Sequence, residues 1–111
     1  MKEIKAYIHR NRIADVISAL KGSSPWSSAG SGEHNLIAYM VKGSLVPLDK
    51  SERHYSVDLG DEVVNEYKLE LHCNDEHMQE LVDIIRSAAR TGQSNSGWIY
   101  ISEIASAIAI A

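Results

Sequence analysis

The sequence contains no phenylalanine, and aromatic residues make up only 6% of it. Aliphatic side chains must therefore fill the core. There is a single cysteine, Cys73, which excludes a disulfide framework and points to a reducing compartment, the cytoplasm. Basic residues are in the minority: 11 Lys and Arg against 15 Asp and Glu, for a formal net charge of −4. With no basic cluster, nucleic acid is not an expected partner. No apolar run approaches the roughly 18 residues that would span a membrane, so the chain is not expected to be membrane-embedded. The opening "MKEIKAYIHR" is too polar for a signal peptide. What remains is a chain of 111 residues, 44% hydrophobic and 23% charged, which suits one domain over 1–111 with one modest core.

The apolar residues change period along the chain. In "EIKAYIH", Ile4, Ala6 and Ile8 alternate with Lys5, Tyr7 and His9, which predicts a strand with one buried and one polar face. In "NRIADVISALK", Ile13, Val16, Ile17 and Leu20 form a helical stripe, with Asn11 as the expected N-cap. Residues 22–33, "GSSPWSSAGSGE", are rich in Gly and Ser and predict a flexible insertion, with Trp26 either anchoring it or loosely packed. "HNLIAYMVK" is largely apolar on both parities, so a strand partly covered on both faces is expected. Residues 43–61 have no sustained period and form a second long loop, a length that points to function or disorder. "EVVNEYKLELHC" alternates as a third strand. "NDEHMQELVDIIRSAAR" is a second helix, capped by Asn74 or Asp75 and ending on Arg86 and Arg90. "GWIYIS" is a fourth strand, and "EIASAIAIA" suggests a turn and a final edge strand. The order β-α-β-β-α-β implies an α+β, ferredoxin-like fold, with two helices on one face of an antiparallel sheet. The other face, carrying Lys5, Tyr7, His9, Lys68, Glu70 and His72 with Trp98 or Tyr100, suggests burial against other subunits.

Little in this pattern supports catalysis, and no catalytic residue is assigned. The serines lack a G-x-S-x-G setting. His72, Cys73 and His77 are the nearest approach to a metal cluster, but His72 and Cys73 point to opposite faces of a strand, so no metal site is expected. Asp61, Glu62 and Glu66 read as solvated loop or strand-edge charges. An RNA-binding reading would stack bases on Tyr7 and Tyr67, but the surrounding basic charge is missing. The loop "RTGQSNSG" is more informative. Gly92 can end the preceding helix in a left-handed conformation, and Gly97 lets backbone approach a ligand closely. Such a loop is a simple turn or an anion-binding nest of backbone N–H groups.

Three stretches together resemble one family. "MKEIKAYIHRNRIADVISAL" is similar to the opening strand and helix of the PII signal-transduction proteins. "VKG" at 41–43 is similar to the motif before their T-loop, and "AARTG" at 88–92 with Gly97 to their B-loop. The resemblance covers nearly all of the chain outside 22–33. It implies a homotrimer with nucleotide clefts between subunits and a T-loop, here about 44–61, that contacts a protein target. Carried over by position, Tyr7 and Ile37 would lie near the cleft base, and Lys42, Gly43 and Ser44 would border it. Arg90, Thr91, Gly92 and the segment to Gly97, followed by Trp98, would take the phosphates.

The departures reshape the expected ligand. Trp98 stands where the family has a Lys after the second B-loop glycine, and Ala109 and Ala111 stand where it has two Arg. Charge-assisted contacts contribute about 1.5–3 kcal/mol each, so losing three cations disfavours ATP relative to ADP or AMP. Pro47 replaces the T-loop Gln and Glu66 the Lys that serve 2-oxoglutarate, so that ligand is not expected. Leu59 stands at the position of the modified Tyr, with Tyr55 nearby. The expected protein is a cytoplasmic, non-enzymatic PII-like regulator of a divergent branch. It would bind ADP or AMP with bicarbonate as a candidate co-effector, like the carboxysome-associated members linked to carbon metabolism. The alternatives are an interaction module without nucleotide sensing, a regulator of a membrane transporter or metal-efflux system, and a metal-binding trimer resembling copper-tolerance proteins.

Overall fold

The structure, a computed structural model, describes residues 1–27, 34–45, 50–93 and 97–111. Its elements are β1 (Lys2–Ile8), α1 (Ile13–Lys21), α2 (Ser24–Ser27), β2 (His34–Gly43), a 3-10 turn (Lys50–Glu52), β3 (His54–Ser56), β4 (Asp61–Cys73), α3 (Asp75–Ala88) and β5 (Trp98–Glu103). The strands form an open antiparallel sheet in the order β2-β4-β1-β5, with β3 paired to the start of β4. This is the ferredoxin-like α+β arrangement, with β1 and β4 central.

The period-two reading of β1 holds: Ile4, Ala6 and Ile8 are fully buried. They meet Leu69 and Leu71 of β4 on one sheet face, where Val16 and Leu20 of α1 and Leu81, Val82 and Ile85 of α3 cover them. The core is aliphatic, as a chain without phenylalanine requires. Acidic Asp75 and Glu76 occupy the first turn of α3 and Arg86 its last, in keeping with the helix dipole. Among the described residues, no helix is long and apolar enough to cross a membrane.

Several expectations are corrected. Asn11 does not cap α1; Arg12 is the N-cap residue and makes no side-chain capping bond. Its guanidinium instead donates through Nε (3.0 Å) and Nη2 (2.7 Å) to the Ala88 carbonyl at the end of α3. The described part of the 22–33 insertion is not plain loop. Residues 24–27 form α2, with Pro25 buried and Trp26 half-buried, against α1 and α3. The remainder, 28–33, lies outside the described residues. The long loop carries structure of its own, because β3 folds back on β4 through a turn at 57–60. β2 is covered less than expected: Leu36 packs against the core, but Ile37, Tyr39 and Met40 are exposed, because β2 is the sheet's edge. No strand follows β5, and Ile108 and Ile110 stand in solvent. An alternating apolar run forms a strand only where an edge offers it a partner.

The Arg12 clamp joins the first turn of one helix to the last carbonyls of the other. Arg12→Ala is expected to lower the unfolding free energy by about 1–2 kcal/mol, with Arg12→Lys recovering only part because Lys lacks the two-nitrogen fork. Urea denaturation followed by circular dichroism measures both.

Candidate functional site

A cleft of about 800 Å³ opens between the C-terminal half of α3, the ends of β1 and β5, and the loop that joins α3 to β5. Local sequence explains its walls. α3 ends at Ala88, and the chain turns at Gly92, whose φ of 89° lies in the left-handed region. The expected left-handed glycine is therefore present. It lies within the loop, however, and the helix cap itself is Ala89 in a right-handed conformation. Residues 94–96 of the expected phosphate loop lie outside the described residues.

Gly97 lines the cleft and is also pressed against β1. A Cβ at this position would sit 2.5 Å from the Tyr7 carbonyl oxygen. What approaches Gly97 is thus the backbone of β1, which lets the loop enter β5 tight against its neighbour. Tyr7 pairs with Trp98 across the sheet, and its ring meets Tyr100 edge to face at 6.1 Å between centroids. Lys68 Nζ lies 5.4 Å from the centre of the same ring. Tyr39 donates to Glu70 at 2.7 Å, and that hydrogen bond holds its phenol above the usual range. The helix-free sheet face is thus a polar strip flanked by exposed aromatics.

Of the ten residues expected at the site, Tyr7, Arg90, Thr91, Gly92, Gly97 and Trp98 all line this cleft. Arg86 lines it as well. The helix dipole accounts for Arg86 in the sequence, although its four-residue spacing from Arg90 is a signal that both could face one way. The remaining four are elsewhere. Ile37, Lys42 and Gly43 lie on β2, at the opposite edge of the sheet from β5. Ser44 follows, donating to Asp61 at 2.8 Å. One chain does not bring the two groups together.

A second cluster lies beyond the end of β1. His9, expected on the polar face, is buried, and so is Glu66, expected to be solvated. The β1–β4 register ends with Ile8 opposite Tyr67, so its next step sets His9 beside Glu66. Glu52, from the 3-10 turn, closes over them, and His9 Nε2 lies 2.6 Å from its Oε1. Burial pushes the Glu66 carboxyl above the usual carboxylate range; His9 and Arg10 oppose that rise and Glu52 adds to it. Pro47, the other departure at the 2-oxoglutarate position, lies outside the described residues.

Comparison with known proteins follows the same lines. A family model described as Nitrogen regulatory protein P-II matches residues 1–111. The chain is 29% identical over 104 residues to "Nitrogen regulatory protein P-II 2" of Methanothermobacter thermautotrophicus, covering 94% of this chain and 84% of that protein. It is 26% identical over 110 residues to "Nitrogen regulatory protein P-II 1" of the same organism, covering 99% and 89%. A match to "Nitrogen regulatory protein P-II" of Cyanidium caldarium reaches 36% identity over 59 residues, about half of each chain at 53% and 52%.

Gly97→Ala sets a methyl group against backbone that has little room to move. It is expected to cost about 1–3 kcal/mol, the usual range for overpacking, and to shift Trp98 fluorescence. Urea unfolding with a Trp26→Phe background isolates that signal.

Proposed function

Given that this chain belongs to the nitrogen regulatory protein P-II family, we propose that it is a homotrimeric, cytoplasmic regulator. It binds ADP or AMP in preference to ATP between subunits and acts on a protein target through the loop at about 44–61. The chain is a PII-family regulatory signalling protein. Members of this family are trimers that bind adenine nucleotides and target proteins, and they are regulators rather than enzymes.

The observation that carries the proposal is the cleft. It gathers two guanidinium groups, a left-handed glycine turn and an aromatic wall at one end of α3. Phosphate suits the cations, and Trp98 offers a flat apolar surface where the family resemblance implies a further cation. With Arg86 and Arg90 on the wall and no Arg at Ala109 or Ala111, the charge balance favours fewer phosphates. The split of the expected site supports the oligomer. Ile37, Lys42, Gly43 and Ser44 lie at the edge opposite the cleft, and in the proposed trimer a neighbouring copy's β2 edge would complete it. Bicarbonate is the co-effector proposed, on the likeness to carboxysome-associated members and on Glu66 standing where the family resemblance implies the Lys that serves 2-oxoglutarate. The exposed Tyr55 of β3, with Val57 and Leu59 in the turn that follows, gives the loop an apolar tip for its target. Carbon metabolism is the favoured setting.

Calorimetry with AMP, ADP and ATP, each with and without bicarbonate, tests the reading. ADP or AMP should bind more tightly than ATP, and Arg90→Ala should weaken binding by about tenfold or more, the equivalent of one charge-assisted contact. Light scattering should give the mass of a trimer. Tight ATP binding that depends on 2-oxoglutarate overturns the ligand assignment, and silence with every nucleotide favours an interaction module working through its loops alone.

A further inference from the structure

We propose that His9, Glu52 and Glu66 form a binding site for a divalent first-row transition cation of the zinc class, and that the bound ion fastens the loop between β2 and β4 to the sheet. None of the three side chains lines the cleft described above.

The ligand-bearing atoms of the three side chains all lie within 4.8 Å of one another. They come from three parts of the chain: the end of β1, the 3-10 turn of the loop, and β4. His9 is 3% exposed and Glu66 7%. Glu66 Oε2 is buried without a hydrogen-bond partner among the described residues. A buried carboxylate oxygen with no partner is costly. A proton between His9 and Glu52 satisfies that pair and leaves Glu66 Oε2 as it was. A cation uses all three groups, and two carboxylates match its double charge.

The donor set selects the ion. One imidazole with two carboxylates suits zinc and its neighbours, whereas calcium takes six to eight oxygens. Bonds of about 2.0–2.2 Å in a tetrahedral site set ligand atoms about 3.3 Å apart. The His9–Glu52 contact of 2.6 Å therefore opens slightly, and Glu66 closes in. Three protein ligands leave a fourth position for water, on the side where Glu52 is still partly exposed. Coordination through His9 Nε2 leaves the ring proton on Nδ1, which now accepts the Asn11 N–H at 3.1 Å. That hydrogen bond must break, one neutral contact against three bonds to a metal, and its loss marks binding at this site. Because Glu52 belongs to the loop, the ion would order a segment that the family uses to meet targets.

The test uses the full chain stripped with EDTA and desalted, then titrated with Zn²⁺ against a chromophoric chelator, with stoichiometry from elemental analysis. One ion per chain is expected. Glu66→Gln and Glu52→Gln should each weaken binding by at least about tenfold, and His72→Ala/His77→Ala should bind like wild type. Glu66→Gln is isosteric and removes a buried charge, so circular dichroism should show it folded. Zn²⁺ should also slow tryptic cleavage after Arg53 and move the Asn11 amide resonance, and do neither in Glu66→Gln. No uptake by wild type overturns the proposal, as does uptake that the glutamate variants leave unchanged or that the His72/His77 variant abolishes.

Discussion

The antiparallel pairing of β1 with β4 sets Ile4 opposite Leu71, Ala6 opposite Leu69 and Ile8 opposite Tyr67. Ile4, Ala6, Ile8, Leu69 and Leu71 form the floor on which both helices rest. Side chains alternate between faces, so a slip of one residue would turn the buried set into solvent and bring Lys5, Tyr7 and Lys68 under the helices. Burying one large aliphatic side chain is worth about 1.5–3 kcal/mol, so the register is held by many such terms at once. The same register sets Lys68 beside Tyr7 on the open face and carries His9 towards Glu66. Core, open face and buried cluster thus depend on one strand pair.

The cleft depends on that pair less directly. β5 joins the free edge of β1, and Gly97 lets it do so by leaving room for the Tyr7 carbonyl. The end of α3 hangs over that junction, tied to the start of α1 by Arg12. Arg86, Arg90 and Gly92 are therefore positioned by helix packing, and Tyr7 and Trp98 by strand pairing. β2 remains at the far edge with apolar residues exposed on both faces. The residues expected at one site thus lie at opposite edges of the sheet.

Most of the fold was legible in the residues. Periods of two and 3.6 marked β1, α1, β4 and α3, because each element buries one side and so repeats its apolar positions. Where burial is weak, the pattern misled. The apolar tail with Ile108 and Ile110 reads as a strand, yet it has no partner edge within the chain. α2 and β3 are too short to show a period, and contacts with α1, α3 and β4 stabilise them instead. Half of the candidate site was legible in "ARTG" and Gly97, because loop glycines and cations are local features. Arg86 joins them through the way α3 is turned, which its spacing from Arg90 hints at.

By itself, the sequence determined the aliphatic core, the order of the longer elements and the family. These follow from residue identity and short-range spacing, which a linear chain states directly. Tertiary structure alone decided that the expected site is divided between opposite sheet edges, that Gly97 serves the β1–β5 junction, and that His9, Glu52 and Glu66 share one buried space. The reason is the same in each case. These relations join residues far apart in the chain, and only strand register and loop return bring them within a few ångströms.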